Sequence, residues 1–509
     1  MNRRSETPPS RASARRGQRQ LSPPAPLQAT ACHLPGLAAA DVDLVVRRFE
    51  AHGSIVDVSL PRLTTAQLQT VARHTTAAAR AQLTARPVME IVDLIDRVIA
   101  RMLDRDDPMR RDMERLLPVV SGFDAEMTRL GMDACLRNFR KPQLLRFLAE
   151  DLGDIGLLDG FRPRPKGGWT QACGPTLVGH VWAGNVPGLP LWSLISALLV
   201  KSASVGKVSS AEPLFASWFA RTLGQVDPNL SEVLAIVWWP GGETELEQVL
   251  CDEAEVLKVY GGDATLAAWQ RLLPPGKRLL PHGNKLSVGL VSASALDTRQ
   301  AQEVARQAAL DIMRWDQLGC YSPQVYYVEA GGQVSPAEFA RHLAGELAAL
   351  QHRFPRRALS LEETTSVAQW RQAFELAILR GEPVQVLGAS DAPWALAYSP
   401  RARAPQPGAL NRTVCLMAVD RLEDALPLLE SRRAWLQTVS LAASPETLFR
   451  LAPQIAAAGA TRICAPGHMT MPEPGWHHDG RFSLLDLLRM VDIETSAESA
   501  AEQFAAYRN

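Results

Sequence analysis

Cys320 stands in the segment Arg314-Trp-Asp-Gln-Leu-Gly-Cys320-Tyr-Ser-Pro-Gln-Val-Tyr-Tyr-Val-Glu329, between a helical rhythm and a strand-like one. A thiol at such a junction can project into a cleft and attack an electrophile while rigid elements hold it on both sides. Packed inward, the same thiol would be a small core filler. Upstream, Ala301, Val304, Ala305, Ala308, Ala309 and Ile312 recur at the spacing of a one-faced helix, which Gly319 is placed to stop. Val325 to Val328 then reads as a strand.

Three other short segments offer polar chemistry. Asn185 follows Gly184; its amide could donate to a developing oxyanion or cap the next helix. Lys207, with Ser209 and Ser210, could hold ribose hydroxyls or a 2′-phosphate, or be a solvated lysine. Gly261-Gly262 ahead of a helix lets backbone N–H groups approach a phosphate, or simply makes a turn. No GxGxxG fingerprint follows a strand.

These segments fall at regular places in an alternating pattern. Strands are expected at Leu177 to Ala183, Ser204 to Val208, Val233 to Trp239 and Val256 to Tyr260, with Leu286 to Val291 closing the series. Helices are expected at Pro187 to Lys201, Pro213 to Leu223, Glu243 to Cys251 and from Gly262 through Leu272. Such alternation predicts a parallel sheet covered on both faces, with ligands at the carboxyl ends of its strands. Asn185, Lys207 and Gly261 all follow strands. Residues 41–154 read as mostly helical, with one strand-like stretch at Ile55 to Leu60.

Composition excludes several classes. A chain of 509 residues exceeds one core and predicts two or three domains. With 54 basic against 54 acidic side chains there is no bulk charge for nucleic acid. Seven scattered cysteines without a CxxC pair argue against a disulfide framework or a zinc site and suit a cytoplasmic protein. The longest apolar run, Leu189 to Val200, is interrupted by Ser193 and Ser196 and suits a buried helix, so no membrane span is expected. Residues 1–30, rich in Arg, Ser and Pro, read as a disordered basic tail, and Ser399 to Gly408 as a second linker. His477-His478-Asp479-Gly480 lacks metal-ligand spacing and reads as a structural turn near the cleft.

Taken in order, Val181-Trp-Ala-Gly-Asn185-Val-Pro-Gly-Leu-Pro190, Gly206-Lys207-Val-Ser-Ser-Ala-Glu212, Val259-Tyr-Gly-Gly-Asp263 and Gly319-Cys320-Tyr-Ser-Pro323 resemble the aldehyde dehydrogenase superfamily. The chain is most similar to its acyl-CoA reductase branch, the long-chain fatty acid reductases named LuxC in luminous bacteria. Trp476-His-His-Asp-Gly480 and Val491-Asp-Ile-Glu494 extend that likeness, which covers residues 50–495. The resemblance implies an α/β fold with a Rossmann-like cofactor domain, an α/β catalytic domain and a β-strand oligomerisation arm. It divides the chain into a helical N-terminal region and dinucleotide-binding domain (31–290), a catalytic domain (291–475) and a returning C-terminal segment (476–509). Cys320 would be the nucleophile and Asn185, with the Cys320 backbone N–H, the oxyanion donor. Lys207 would bind the cofactor ribose, and Gly261 and Gly262 the pyrophosphate.

One departure bears on the reaction. Hydrolytic relatives carry Glu-Leu-Gly-Gly-Lys, whose glutamate activates water; here the stretch reads Pro281-His282-Gly283-Asn284-Lys285. A reductase of acyl thioesters has no use for that water. The base that would deprotonate Cys320 is unassigned, with His282 the candidate. The acidic group that relatives set on the nicotinamide ribose has no counterpart around Gly408 to Val414. The expected cofactor is NADPH, with NADH the alternative, because Lys207, Ser209 and Ser210 suit a 2′-phosphate. Expected partners are a fatty acyl thioester, an acyl-protein synthetase and further copies of the chain in a homo-oligomer. Two other classes fit the same residues: an acyl carrier or transferase without redox chemistry, and a reductase of acyl phosphates.

Overall fold

The computed structural model describes residues 25–506. Its centre is a five-stranded, wholly parallel sheet ordered Arg278–His282, Val256–Tyr260, Leu177–Val181, Ala203–Lys207, Leu234–Val237. The chain enters at Leu177–Val181, builds outward on one side, then crosses back to add Val256–Tyr260 on the other. That reversal makes a crevice between the carboxyl ends of Leu177–Val181 and Val256–Tyr260, where open α/β sheets take their ligands. Asn185 follows the first of these strands and Gly261-Gly262 the second. The helix Leu189–Leu199 is buried nearly all round, as its unbroken apolar run predicts.

A second sheet of seven strands is ordered Gln385–Leu387, Ala395–Ser399, Thr413–Val419, Pro323–Glu329, Leu286–Val291, Leu436–Ala442, Arg462–Cys464. All neighbours are parallel except the first pair. Alternate residues feed its two faces: Val325 and Tyr327 join one apolar cluster, Tyr326 and Val328 the other. A three-stranded antiparallel sheet joins Arg489–Ile493 to Trp169–Cys173 and Arg162–Pro163; it is the candidate for the expected arm.

Several expectations need correction. Leu286–Val291 does not close the first series but sits third from one end of the second sheet, flanked by Pro323–Glu329 and Leu436–Ala442. The edge of the first sheet is instead Arg278–His282, whose Pro281 hid its strand character. The N-terminal region carries more strand than expected: Asp43–Ala51 and Ser54–Arg62 form a hairpin, with Leu27–Thr30 alongside. The basic tail therefore stops short of residue 27; residues 1–24 lie outside those described. Ser399 to Gly408 is no linker. It joins neighbouring strands of one sheet, tied down by Tyr327 Oη donating to the Arg403 carbonyl (2.7 Å) and Gly408 N–H donating to Gln324 Oε1 (2.7 Å).

The approach to Cys320 differs too. The helix ends at Met313, well before Gly319, because Trp315, Asp316 and Gln317 all take left-handed backbone angles (φ 51°, 47° and 68°). A second left-handed triplet, Leu410, Asn411 and Arg412, faces it (φ 56°, 52° and 71°). Non-glycine residues in this region cost on the order of 1–3 kcal/mol each unless their surroundings hold them. Here a buried ion pair does so: Arg412 Nε donates to Asp316 Oδ1 at 2.6 Å, and both side chains are within 1% of complete burial. Gln317 completes the join, donating to the Pro323 and Thr413 carbonyls and accepting from Thr413 N–H. Arg412→Met leaves the Asp316 carboxylate in the core with its weaker partner Arg357 (backbone N–H at 3.1 Å, guanidinium at 3.9 Å), so it should destabilise the protein by about 3 kcal/mol, read by chemical denaturation.

Candidate active site

The two sheets meet end to end. The carboxyl ends of the five-stranded sheet supply Asn185, Gly261, Gly262 and His282, while the amino ends of the seven-stranded one supply Leu286, Cys320 and Gln324. Between them lies one cavity of about 1350 Å³ lined by all of these residues. Cys320 is half-buried in its wall, three residues ahead of the strand Pro323–Glu329. Ser287 Oγ donates to the Cys320 carbonyl (3.0 Å) and accepts from Thr438 N–H (3.2 Å), tying the cysteine backbone to the adjoining strand.

Asn185 reaches the cysteine loop: its Nδ2 donates to the Leu318 carbonyl at 2.7 Å, leaving one amide hydrogen for another acceptor. Gly262 begins the helix Asp263–Leu272 without any side-chain cap, so first-turn N–H groups are left for a ligand. At Gly261 an added Cβ would stand 2.9 Å from the Thr265 side chain, which keeps this turn bare. A bare, uncapped helix start opening on the cavity fits the pyrophosphate of a dinucleotide.

Lys207, Ser209 and Ser210 lie at the same sheet edge but outside the cavity lining. Lys207 stands over the Trp239 ring at 5.6 Å, and burial lowers its pKa against the opposing pull of Glu247. Both hydroxyls are partly occupied: Ser210 Oγ accepts from Trp238 Nε1 (3.0 Å) and Ser209 Oγ from Ala211 N–H (3.1 Å).

The turn His478–Gly480, read from the sequence as structural, enters the cavity wall beside the cysteine. His478 stacks on His282 (4.4 Å between centroids), His282 on Tyr260 (4.5 Å) and Trp476 on His478 (4.7 Å). Asp479 accepts from His282 Nδ1 at 2.9 Å and from Gln437 Nε2 at 2.7 Å, with Lys285 Nζ at 3.9 Å. Burial would raise the Asp479 carboxyl, but the His282 hydrogen bond, the two imidazoles and Lys285 hold it well below the usual range. Burial, reinforced by His282, drives His478 down to about 3.

Ligand atoms of His282, His478 and Asp479 fall within 4.8 Å of one another, a set that invites a metal reading. The geometry disfavours it. The imidazole planes lie only 25° apart and face to face, so their in-plane lone pairs run side by side. Burial, then the charge of Asp479, pushes the Cys320 thiol up to about 11; hydrogen bonds from Gln437 and from the Tyr321 and Cys320 backbone pull the other way. Sequence reasoning set aside His478 and Asp479 and missed Gln437. An Asp-Gly turn looks the same whether or not it faces a thiol, and a glutamine in a strand carries no signal.

Comparison with known proteins accords with this architecture. A long-chain acyl-protein thioester reductase from Photorhabdus laumondii is 27% identical over 424 residues, covering 82% of this chain and 84% of its own. One of the same description from Aliivibrio fischeri is 27% identical over 411 residues, covering 80% and 82%. Among solved structures, an aldehyde dehydrogenase from Physcomitrella patens superposes with a TM-score of 0.71 at 12% identity, covering 92% of this chain and 98% of its own. At that identity the match speaks to fold, which is aldehyde dehydrogenase-like. The family model described as acyl-CoA reductase (LuxC) matches residues 83–490. The chain thus belongs to the acyl-CoA reductase (LuxC) family.

Proposed function

We propose that this protein reduces a fatty acyl thioester to the aldehyde through an acyl group carried on Cys320. The observation that carries the proposal is the shared cavity: Cys320 and the bare Gly261-Gly262 turn open on one space of about 1350 Å³. In this reading the Cys320 sulfur attacks the acyl carbon, a new S–C bond forms, and the donor thiol leaves with the proton. Asn185, already directed at the cysteine loop, donates its remaining amide hydrogen to the oxyanion together with the Cys320 backbone N–H. A nicotinamide dinucleotide held by Gly261, Gly262 and Lys207 would supply hydride to the acyl carbon. Collapse of the oxyanion then expels Cys320 and frees the aldehyde.

Two features favour reduction over hydrolysis. Pro281 stands where hydrolytic relatives carry the water-activating glutamate. Asp479, the carboxylate whose charge acts on Cys320, has both oxygens engaged by Gln437 and His282 and is a poor base for water. The relatives' description as acyl-protein thioester reductases supports a protein-bound acyl donor, with acyl-CoA as the soluble counterpart. NADPH is the proposed reductant, since Lys207 offers a cation to the 2′-phosphate.

The test mixes the purified protein with NADPH and a long-chain acyl-CoA and follows NADPH absorbance and aldehyde. Cys320→Ala should abolish both acylation and turnover; retained turnover would refute the assignment. Stable acyl-protein without NADPH consumption would mark a transferase instead, and turnover with acyl phosphate alone would mark that substrate. Lys207→Ala should weaken NADPH binding while leaving acylation intact; lost acylation with normal cofactor affinity would contradict its role. With the thiol pushed up to about 11, the acylation rate should climb with pH from 6 to 9 without a plateau, read by single-turnover acylation.

A further inference from the structure

The resting cysteine poses a problem that the proposed reaction does not solve. Its thiolate is disfavoured by burial and by Asp479, yet a thiolate must form on attack and again on release of the aldehyde. One side chain on the adjoining strand is arranged to meet that need. Gln437, wholly buried in the strand Leu436–Ala442, donates to the Asp479 carboxylate at 2.7 Å and stands near enough to the Cys320 sulfur to favour its charged form.

The direction of this amide is set by its neighbours. A carboxylate only accepts hydrogen bonds, so Asp479 Oδ1 at 2.7 Å requires Nε2 and not Oε1 of Gln437 on its side. Nε2 then has its second hydrogen for the sulfur, while Oε1 is left buried without a partner. Leaving a buried carbonyl oxygen unpaired is costly, and such an arrangement points to a functional constraint. Asp479 is itself held in an unfavourable left-handed conformation (φ 56°), with its other oxygen fixed by His282 Nδ1. The backbone is locked as well. The Gln437 carbonyl accepts from Thr461 N–H at 2.9 Å, and the next residue, Thr438, is bridged through Ser287 Oγ to the Cys320 carbonyl.

We propose that Gln437 is a catalytic residue that donates a hydrogen bond to the Cys320 sulfur whenever it carries charge, and that Asp479, braced by His282, is the residue that positions it. On acylation the amide stabilises the attacking thiolate as the S–C bond forms, the proton departing with the donor thiol. On reduction hydride makes the new C–H bond, the acyl carbon is reduced and the cofactor oxidised. As the S–C bond breaks, Gln437 receives the departing thiolate before a solvent proton returns. The inference rests on Cys320 as nucleophile, but its test does not.

Alkylation of Cys320 by iodoacetamide, followed peptide by peptide across pH 6–10, needs neither substrate nor cofactor. The titratable groups in electrostatic reach of the sulfur are Asp479, Tyr260 and Tyr321, all retained in the variant. In Gln437→Leu, Cys320 alkylation at pH 8 should slow about tenfold or more, with its pH profile displaced to higher pH, because a hydrogen bond to a charged group is lost. NADPH affinity and the melting temperature report that the fold is kept. Should Gln437→Leu not fold, Gln437→Asn, too short to span Asp479 and the sulfur, carries the same expectation. An alkylation profile matching the unaltered protein in either folded variant would overturn the inference. Turnover retained in Cys320→Ala would instead remove the nucleophile assignment, so the two failures are distinguishable.

Discussion

The buried pairing of Arg412 with Asp316 is the constraint on which the site depends. Two chain segments arrive at it in left-handed triplets, conformations that neither would keep alone. Charge pairing in a low-dielectric core gives each a partner it cannot exchange for water, and Gln317 adds three hydrogen bonds across the same join. The reward for this strain is placement. A helix running on to Gly319 would carry the chain away from the cavity; the kink at Trp315 to Gln317 turns it so that Cys320 opens into it. Trp315 then packs with Phe123, Met127 and Phe354 as a small apolar cluster behind the loop.

End-to-end packing of two parallel sheets explains why the polar groups gather where they do. Carboxyl ends of strands in the first sheet and amino ends in the second carry loops into the same gap. The first contributes a turn with free N–H groups, the second a thiol. A third contribution comes from the far end of the chain, where Trp476 and His478 complete a column of four rings with His282 and Tyr260. This column joins the end of one sheet to the returning C-terminal segment and holds Asp479 at the cysteine.

The electrostatics have the same logic. Cys320, Lys258 and His478 all have the neutral form favoured by burial, Lys258 being pushed down to about 8 and His478 to about 3. Asp479 alone in this group is held ionised, because two donors and a nearby lysine surround it. A carboxylate so occupied organises its neighbours more readily than it activates water.

Much of the fold was legible in the residues. Val256–Tyr260 was expected at its observed bounds, and the helices and strands from 177 to 272 fall within a few residues of expectation, because apolar periodicity reports burial directly. Asn185, Gly261, Gly262 and Cys320 were singled out because each interrupts a regular element with a residue able to do chemistry. Local pattern failed where distant residues outvoted it. Leu286–Val291 reads as a buried strand in either sheet, and only its hydrogen-bonding partners decide which. The helix before Cys320 ends early because Arg412, 96 residues away, holds Asp316.

What the amino-acid order determined alone was most of the elements from 177 to 272, the alternation that makes parallel sheets, and the cysteine proposed as nucleophile. Tertiary structure alone decided that Gln437, His282 and Asp479 are joined beside Cys320. Their separations along the chain, 42 residues between Gln437 and Asp479 and 197 between His282 and Asp479, leave no periodic trace. Hydrogen bonds between groups so far apart exist only after both sheets have formed and closed on one another.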